Sequence, residues 1–222
     1  MTVLVEAVHV VKPLTNTAFA SWVEWYGNDV IPAMERSGFD ILGAWKRSTG
    51  PMGEDQLLLR FENLSDYELA GVSLRKDAAF LKSVANIASR WTVTESAKTA
   101  SFVPYATEQR LEKALAERPE KPRPYMRAVL QMVTGGQPAA YEAIGKLAGM
   151  TDESPAMRLV TAYETNIGQR GELTDIWVCN NGVPDFSFST ADPLSELISG
   201  LRKVAPEESI NIMHPLPYSR LQ

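Results

Sequence analysis

The sequence predicts an α+β fold made of two copies of one β-α-β-β-α-β unit. The first observation is an internal repeat: residues 44–54 (AWKRSTGPMGE) return without a gap as residues 162–172 (AYETNIGQRGE), 118 positions later. The second is a similar ending to each half, SFVPY at 101–105 and HPLPY at 214–218. The third is that strand and helix patterns follow in the same order in both halves. Such repeats predict an architecture and leave the reaction open.

The first half opens with a strand and a helix. Residues 3–11 are rich in β-branched residues and almost wholly apolar, as is typical of a strand buried on both faces. One of residues 15–17 can cap the helix that follows, Pro32 is expected to bend it, and Gly38 to end it. The apolar stripe of this helix consists of Phe19, Trp22, Val23, Tyr26 and Val30.

A hairpin and a second helix complete the first half. Strands at 41–47 and 56–61 are joined by residues 48–55, whose glycines predict a turn. The motif Ser65-x-x-Glu68 predicts a capping box at the start of the next helix. A strand within 92–103 closes the half.

Residues 106–124 differ in composition from both halves. They hold a short charged helical stretch followed by three prolines among charges. We therefore interpret them as a linker that runs over the surface. This interpretation places the first domain at 1–105 and the second at 125–222.

The second half repeats the order of the first. Its predicted elements are a strand at 125–133, a helix at 138–150, strands at 158–165 and 173–179, a helix starting at Asp192-Pro193, and a strand at 209–214. Each half is then a ferredoxin-like unit, with two helices on one face of its sheet. The other face is apolar and must be covered, so the two sheets either pack face to face or close into one barrel.

Composition excludes several classes of partner. The net charge of −5 and the absence of basic runs argue against nucleic acid. The start of the chain lacks the features of a signal peptide, and no window of 18 apolar residues could span a membrane. The lone Cys179 allows no internal disulfide. We expect a soluble, cytoplasmic protein.

Two histidines, His9 and His214, are the candidate acid/base residues. Both fall on predicted strands among apolar neighbours, and a strand histidine can point into a cavity between a sheet and its helices. The alternative is a core histidine bonded to backbone or water. Trp22, Tyr26 and Trp45 are candidates for an aromatic wall that binds a flat ligand, or else for ordinary core packing.

Three further residues are candidates for substrate binding. Arg60 is suited to an anionic substrate group, although an ion pair with Glu62 or Glu6 is an equal alternative. Asp175 and Trp177 share one face of a strand and can supply a polar handle in an apolar pocket, or mark a strand end that reaches solvent.

Several catalytic classes find no motif in the sequence. It holds no glycine-rich nucleotide loop, no paired cysteine ligands and no Gly-x-Ser-x-Gly elbow. Haem ligation by a helix histidine has no candidate, because both histidines lie on predicted strands. We expect no metal and no cofactor.

Several short motifs of the chain are similar to those of a known family. They are Val11-Lys12-Pro13, Gly38 with Leu42-Gly43-Ala44-Trp45, Thr49-Gly50, Leu57-Leu58-Leu59-Arg60-Phe61, and the ending Met213-His214-Pro215-Leu216-Pro217-Tyr218-Ser219. In these motifs the chain resembles the NIPSNAP family of the dimeric α/β-barrel superfamily. The resemblance implies a closed barrel formed by the two units. Superfamily relatives include cofactor-free monooxygenases, polyketide cyclases, lactone isomerases, haem-degrading enzymes and plain ligand binders.

Two hypotheses follow from the residues and the resemblance. In the first, a cofactor-independent monooxygenase, isomerase or cyclase acts on a hydrophobic, aromatic or polyketide-like molecule held between sheet and helices, with His9 as acid/base. In the second, the protein binds a ligand or serves in assembly and has no catalytic site. In either case we expect a small-molecule partner, and pairing of outer strand edges into a homodimer stays open.

Overall fold

A computed structural model describes residues 2–50, 53–152, 154, 156–183 and 193–222. The chain divides into two compact units, Met1–Thr99 with Pro215–Leu221, and Ala100–His214 with Gln222. Asp192, the predicted cap of the last helix, lies outside the described residues, as do Pro51 and Met52 of the first repeat copy.

Eight strands and eight α-helices are present in the described residues. The strands are β1 (Val3–Lys12), β2 (Asp40–Arg47), β3 (Glu54–Phe61), β4 (Thr92–Phe102), β5 (Tyr125–Gln131), β6 (Met157–Ile167), β7 (Glu172–Cys179) and β8 (Glu207–Pro215). They form a closed barrel in the order β1-β3-β2-β8-β5-β7-β6-β4. This confirms the predicted α+β class. The subdivision into two ferredoxin-like domains at 1–105 and 125–222 stays a prediction.

In the first unit, β3 lies between β1 and β2 and is antiparallel to both. The helices are α1 (Asn16–Trp25), α2 (Ile31–Arg36), α3 (Leu64–Leu74), α4 (Ala78–Val84) and α5 (Ile87–Arg90), with a π-helical turn at Tyr26–Val30 between α1 and α2. Thr15 caps α1 by accepting a hydrogen bond from the Ala18 amide, as one of the predicted cap positions.

The start of α3 corrects the predicted capping box. Asn63 is the N-cap and accepts a hydrogen bond from the Asp66 backbone amide, so α3 begins at Leu64, before Ser65. An Asn side chain caps a helix as well as a Ser side chain does, and Asn63 precedes Ser65 in the turn after β3. Glu68 therefore lies within α3 as an exposed residue, and not at the third position after the N-cap.

The predicted turn at 48–55 is shorter than expected. Gly53 has a φ of 75°, which only glycine adopts readily, and the strand begins immediately after it. Glu54 and Asp55 therefore belong to β3 and pair in register with Val10 and His9 of β1. Because β3 begins earlier than predicted, Asp55 becomes part of the site described below.

The second unit holds β5 between β7 and β8, with β6 on the far side of β7. Its helices are α6 (Glu108–Ala116), α7 (Gln137–Thr151) and α8 (Pro193–Val204). A buried cluster that includes Leu130, Ile144, Leu159 and Trp177 forms its core.

Helix α6 lies within the segment that the sequence analysis interpreted as a surface linker. Leu111, Ala114 and Leu115 on this helix are buried, and only its other side carries exposed charges. The apolar residues recur at helical spacing, so α6 packs one face against the second unit. The predicted helical stretch of this segment is present as α6, and the interpretation of residues 106–124 as a surface linker stays a prediction. In the described part of the chain, no helix has the length and apolar character needed to cross a membrane.

Candidate functional site

The first unit contains a cavity of about 810 Å³ between one face of its sheet and its helices. Alternation along the strands brings Val5, Ala7 and His9 of β1 to this face, with Leu57 and Leu59 of β3 beside them. The aromatic lining residues are Trp22, Trp25, Tyr26, Phe39, Tyr67 and Phe80. The volume is within the range of small-molecule sites, and its lining is mostly apolar.

His9 lies in the wall of the cavity that the sheet forms, and its side chain is hydrogen-bonded to Asp55. The two side chains are 4% and 0% exposed, and His9 Nδ1 lies 2.6 Å from Asp55 Oδ1. A carboxylate only accepts, so Nδ1 carries the proton of this bond. In the neutral imidazole, Nε2 then holds the free lone pair, which is the form a general base needs.

Trp22 holds the other oxygen of the same carboxylate. Its indole Nε1–H donates to Asp55 Oδ2 at 2.6 Å. Both oxygens of Asp55 therefore accept a hydrogen bond, and the side chain is fully buried. Burying a carboxylate is costly unless such partners are present, so Trp22 and His9 together account for the presence of Asp55 in the core.

The charges around His9 raise its pKa. Burial by itself lowers the pKa of the imidazole, but the charge and hydrogen bond of Asp55, with the charge of Glu95, outweigh this and raise it above 6.5. His9 is therefore a stronger base than a free histidine.

Glu95 of β4 approaches His9 from the other side. Its Oε2 lies 3.8 Å from His9 Nε2, and it lines the same cavity. The Glu95 side chain is 62% exposed, in contrast to the buried Asp55. The His9 imidazole therefore lies between two carboxylates, the buried Asp55 and the solvent-exposed Glu95.

Tyr26 supplies a hydroxyl next to the histidine. Its ring centroid is 5.2 Å from that of His9, and its hydroxyl donates to the Met34 sulfur, at 3.5 Å. Burial, with the nearby charge of Asp55, raises the pKa of Tyr26 well above its usual value, so the phenol stays protonated. Because a thioether is a weak acceptor, this hydroxyl can turn to a better one.

The second unit carries no histidine–aspartate pair at the matching position. In each unit the carbonyl of the second turn glycine accepts a hydrogen bond from the first strand: Val11 N donates to Gly53 O, and Met132 N donates to Gly171 O. Two positions before these donors lie His9 and Leu130, and two positions after these glycines lie Asp55 and Leu173. His9 and Asp55 therefore correspond to Leu130 and Leu173, which also pair in register. An acid–base pair in one unit is thus a pair of leucines in the other.

Three of the predicted site residues line the cavity: His9, Trp22 and Tyr26. His214 does not, since it is exposed on β8 and belongs to the second unit, so the structure does not support its predicted catalytic role. Ile212, two residues earlier on the same face of β8, is buried, whereas His214 lies close to the end of the strand and is exposed.

Arg60 and Trp45 also lie away from the cavity. Arg60 Nε donates to Asp40 Oδ2 at 2.8 Å, a partner on the neighbouring strand that sequence reasoning did not consider. Trp45 is fully buried, and its ring covers Gly43, where a Cβ would come within 2.1 Å of it. Trp45 is not among the residues that line this cavity, and its place in a ligand wall stays a prediction.

Asp175 and Trp177 share one face of β7, as predicted, but in the second unit. Trp177 belongs to the core there, and Asp175 accepts a hydrogen bond from the Tyr105 hydroxyl at 3.0 Å. Burial raises the pKa of Asp175 to about 7. This residue is a buried carboxyl held by a tyrosine, and it does not line the cavity of the first unit.

Sequence reasoning missed Asp55 and Glu95. Asp55 was placed in a turn, although an acid two residues before a run of leucines is a signal that it could enter the strand. Glu95 alternates with Val93 and Ala97, which also line the cavity, but this strand is polar on both faces and its inward side was not evident. Among the described residues, no cluster of His, Cys, Asp and Glu has the arrangement of a metal site.

No protein-family model matches the chain, and no curated protein sequence does so either. Solved structures resemble it at low identity. A proposed monooxygenase from Fusobacterium nucleatum subsp. nucleatum matches with a TM-score of 0.64 and 12% identity, over 97% of this chain and 92% of that one. An anthrone oxidase-like protein matches with a TM-score of 0.59 and 10% identity, over 96% and 91%. A proposed monooxygenase from Lactobacillus acidophilus NCFM matches with a TM-score of 0.58 and 13% identity, over 97% and 94%.

At this identity the likeness shows the fold. The chain is an α+β protein with a closed eight-stranded barrel, consistent with the dimeric α/β-barrel fold. The NIPSNAP family that the sequence resembles stays a hypothesis.

Proposed function

We propose that the protein is an enzyme in which His9 removes a proton from a flat, hydrophobic substrate bound in the cavity of the first unit. The observation that carries the proposal is the His9–Asp55 bond at the wall of an aromatic-lined cavity. A buried carboxylate that fixes the tautomer and orientation of a histidine is the arrangement used for general base catalysis.

The proton comes from an acidic C–H or O–H group beside a carbonyl or aromatic ring. His9 Nε2 takes the proton, and the electron pair of the broken bond spreads into the substrate as an enolate or phenolate. Asp55 stabilises the imidazolium that forms, because its Oδ1 already accepts the Nδ1–H bond. The Tyr26 hydroxyl is placed to leave Met34 and donate to the developing oxyanion.

One such carbanion leads to each of the three reaction types that the sequence analysis considered. Return of the proton to another carbon is an isomerisation, and attack on an internal carbonyl is a cyclisation. Reaction with O₂ turns a ring CH₂ into C=O with release of water: the substrate gives up four electrons, and O₂ accepts them. Among the three we favour oxygenation, because two proteins of similar fold are proposed monooxygenases and another is named anthrone oxidase-like.

The cavity lining defines the substrate class. Trp22, Trp25 and Tyr26 are mutually in contact, with ring centroids 5.1 to 6.1 Å apart, and they form one aromatic wall above the sheet. Flat polycyclic molecules stack on such faces. We propose a polycyclic aromatic or polyketide-like substrate, and that the two units arose as tandem ferredoxin-like copies of which the first keeps the site.

A hydrogen–deuterium exchange assay tests the proposal with anthrone as the probe, since its ring CH₂ is acidic. We expect the protein to accelerate loss of the CH₂ signal in D₂O and to consume O₂. The His9→Gln variant should still quench its tryptophan fluorescence on binding the probe, but should lose the exchange. His214→Gln, which changes the other histidine of the sequence, is the matched control and should behave as wild type.

The alternative, a ligand-binding or assembly protein, makes a different prediction in the same assay. Saturable fluorescence quenching with an exchange rate no higher than that in buffer would favour binding without catalysis. If the probe neither quenches nor exchanges, a second aromatic carbonyl compound of smaller size, such as 1-tetralone, separates a misfit of size from absence of a site.

A further inference from the structure

We propose that Glu95 is a proton relay that connects the buried His9 with bulk water. This inference rests on the proposed role of His9 as a base. A base that is 4% exposed must release each proton that it takes from the substrate before the next cycle. Within the described residues, His9 lies beside two carboxylates: Asp55, which is fully buried, and Glu95, which reaches solvent.

Asp55 cannot perform this release. Its side chain is 0% exposed, and both of its oxygens are occupied by His9 Nδ1 and Trp22 Nε1. It therefore orients the imidazole and holds its charge. The proton from the substrate arrives on the other nitrogen, Nε2, which Asp55 does not contact.

Glu95 has the position and the mobility for the transfer. The 3.8 Å between its Oε2 and His9 Nε2 is too long for a hydrogen bond, but a side chain that is 62% exposed can rotate to close it. Contacts of catalytic groups are often long before substrate binds. From its exposed side, the same carboxyl exchanges protons with water.

The transfer balances without a further reactant. The N–H bond at Nε2 breaks as the O–H bond on Glu95 forms, and Glu95 then gives that proton to water. His9 returns to the neutral form with its Nδ1–H bond to Asp55 intact. Glu95 acts through His9 and not on the substrate, so it is a positioning and relay residue.

NMR of the histidine ring tests the relay without any substrate. His214→Gln leaves His9 as the only histidine, and the protonation kinetics of its ring are followed by 15N relaxation dispersion across a pH titration. We expect Glu95→Gln to slow exchange between the two protonation states at least tenfold, Glu95→Asp to retain part of the rate, and added acetate buffer to restore it. Glu68→Gln, an exposed carboxylate that lines the same cavity, is the matched control and should not change the rate.

A lower pKa of His9 with an unchanged exchange rate would show that Glu95 acts only through its charge, and it would overturn the relay. An unchanged pKa and an unchanged rate would overturn it as well. Circular dichroism of each variant checks the fold. Because these measurements need no turnover, failure of the relay is distinguishable from failure of the anthrone assay.

Discussion

His9 and Asp55 meet across β1 and β3, in register and 46 positions apart in the chain, with Nδ1 and Oδ1 separated by 2.6 Å. The pair is buried, and the second unit holds Leu130 and Leu173 in its place. The fold therefore accommodates either an ionisable pair or an apolar pair at this position, which indicates that His9 and Asp55 are not required for folding.

A double-mutant cycle at His9 and Asp55 should show strong coupling. His9→Leu leaves a buried carboxylate with one partner and is expected to cost about 3–5 kcal/mol of unfolding free energy. The double variant His9→Leu/Asp55→Leu should recover most of this loss, because it copies the leucine pair of the second unit. Urea unfolding of the four proteins measures the coupling. Additive losses would contradict the interpretation of the two residues as one unit.

The stability contributed by this pair should depend on pH. Since the pKa of His9 is raised above 6.5 in the folded protein, the contribution is complete below pH 6.5 and is lost as pH rises through the folded value. Urea unfolding at intervals between pH 5.5 and 9 should show this fall in wild type, and the double leucine variant should lack it. A fall of equal size in both proteins would assign it to other groups.

Trp22→Phe should destabilise the protein more than Trp25→Phe does. Both residues are buried on α1 and line the cavity, but Trp22 Nε1 donates to Asp55. Loss of that donor leaves one oxygen of a buried carboxylate without its partner, at a cost of about 1–3 kcal/mol beyond the change in packing. Thermal unfolding of the two variants, analysed with matched enthalpies, makes the comparison. Equal losses would mean that the hydrogen bond contributes little.

Asp175→Asn should stabilise the protein at alkaline pH. The pKa of Asp175 is raised from 3.8 to about 7, so its contribution is complete below 3.8 and is lost as pH rises through 7. We expect the variant to exceed wild type by about 2–4 kcal/mol at pH 8 and to match it near pH 4. Asparagine still accepts the bond from Tyr105. The exposed Asp29→Asn serves as the control, and an equal effect of the two variants would argue against burial as the cause.

Gly43→Ala should be destabilising, although alanine is the smallest possible addition. A Cβ at this position would meet the Trp45 ring at 2.1 Å, so the buried indole must move. We expect a loss of about 1–3 kcal/mol, as for other overpacked cores. Gly149→Ala, in helix α7 with open space around it, should instead be neutral or stabilising. Calorimetry of both variants tests the contrast, and a neutral Gly43→Ala would contradict the packing of Trp45.

Much of the fold could be predicted from the sequence alone, because the signals are local. Apolar runs and helical stripes defined most strands and helices, and the glycines of residues 44–54 and 162–172 marked both hairpin turns. Trp22 and Tyr26 became candidates for an aromatic wall, with core packing as the alternative, for the same reason: helical spacing determines which residues share a face. Local pattern was insufficient where two signals competed, as at Asn63 and Ser65.

The site itself depended on the tertiary structure. His9 became a candidate because of its residue type and its position on a predicted strand. His214 shares both features but is exposed. What separates them is a partner 46 residues away, placed by the register between β1 and β3, and a second carboxylate on β4. Sequence periodicity determines which face a side chain takes. Which charges meet on that face, and whether water reaches them, is decided only when strands distant in the chain are paired.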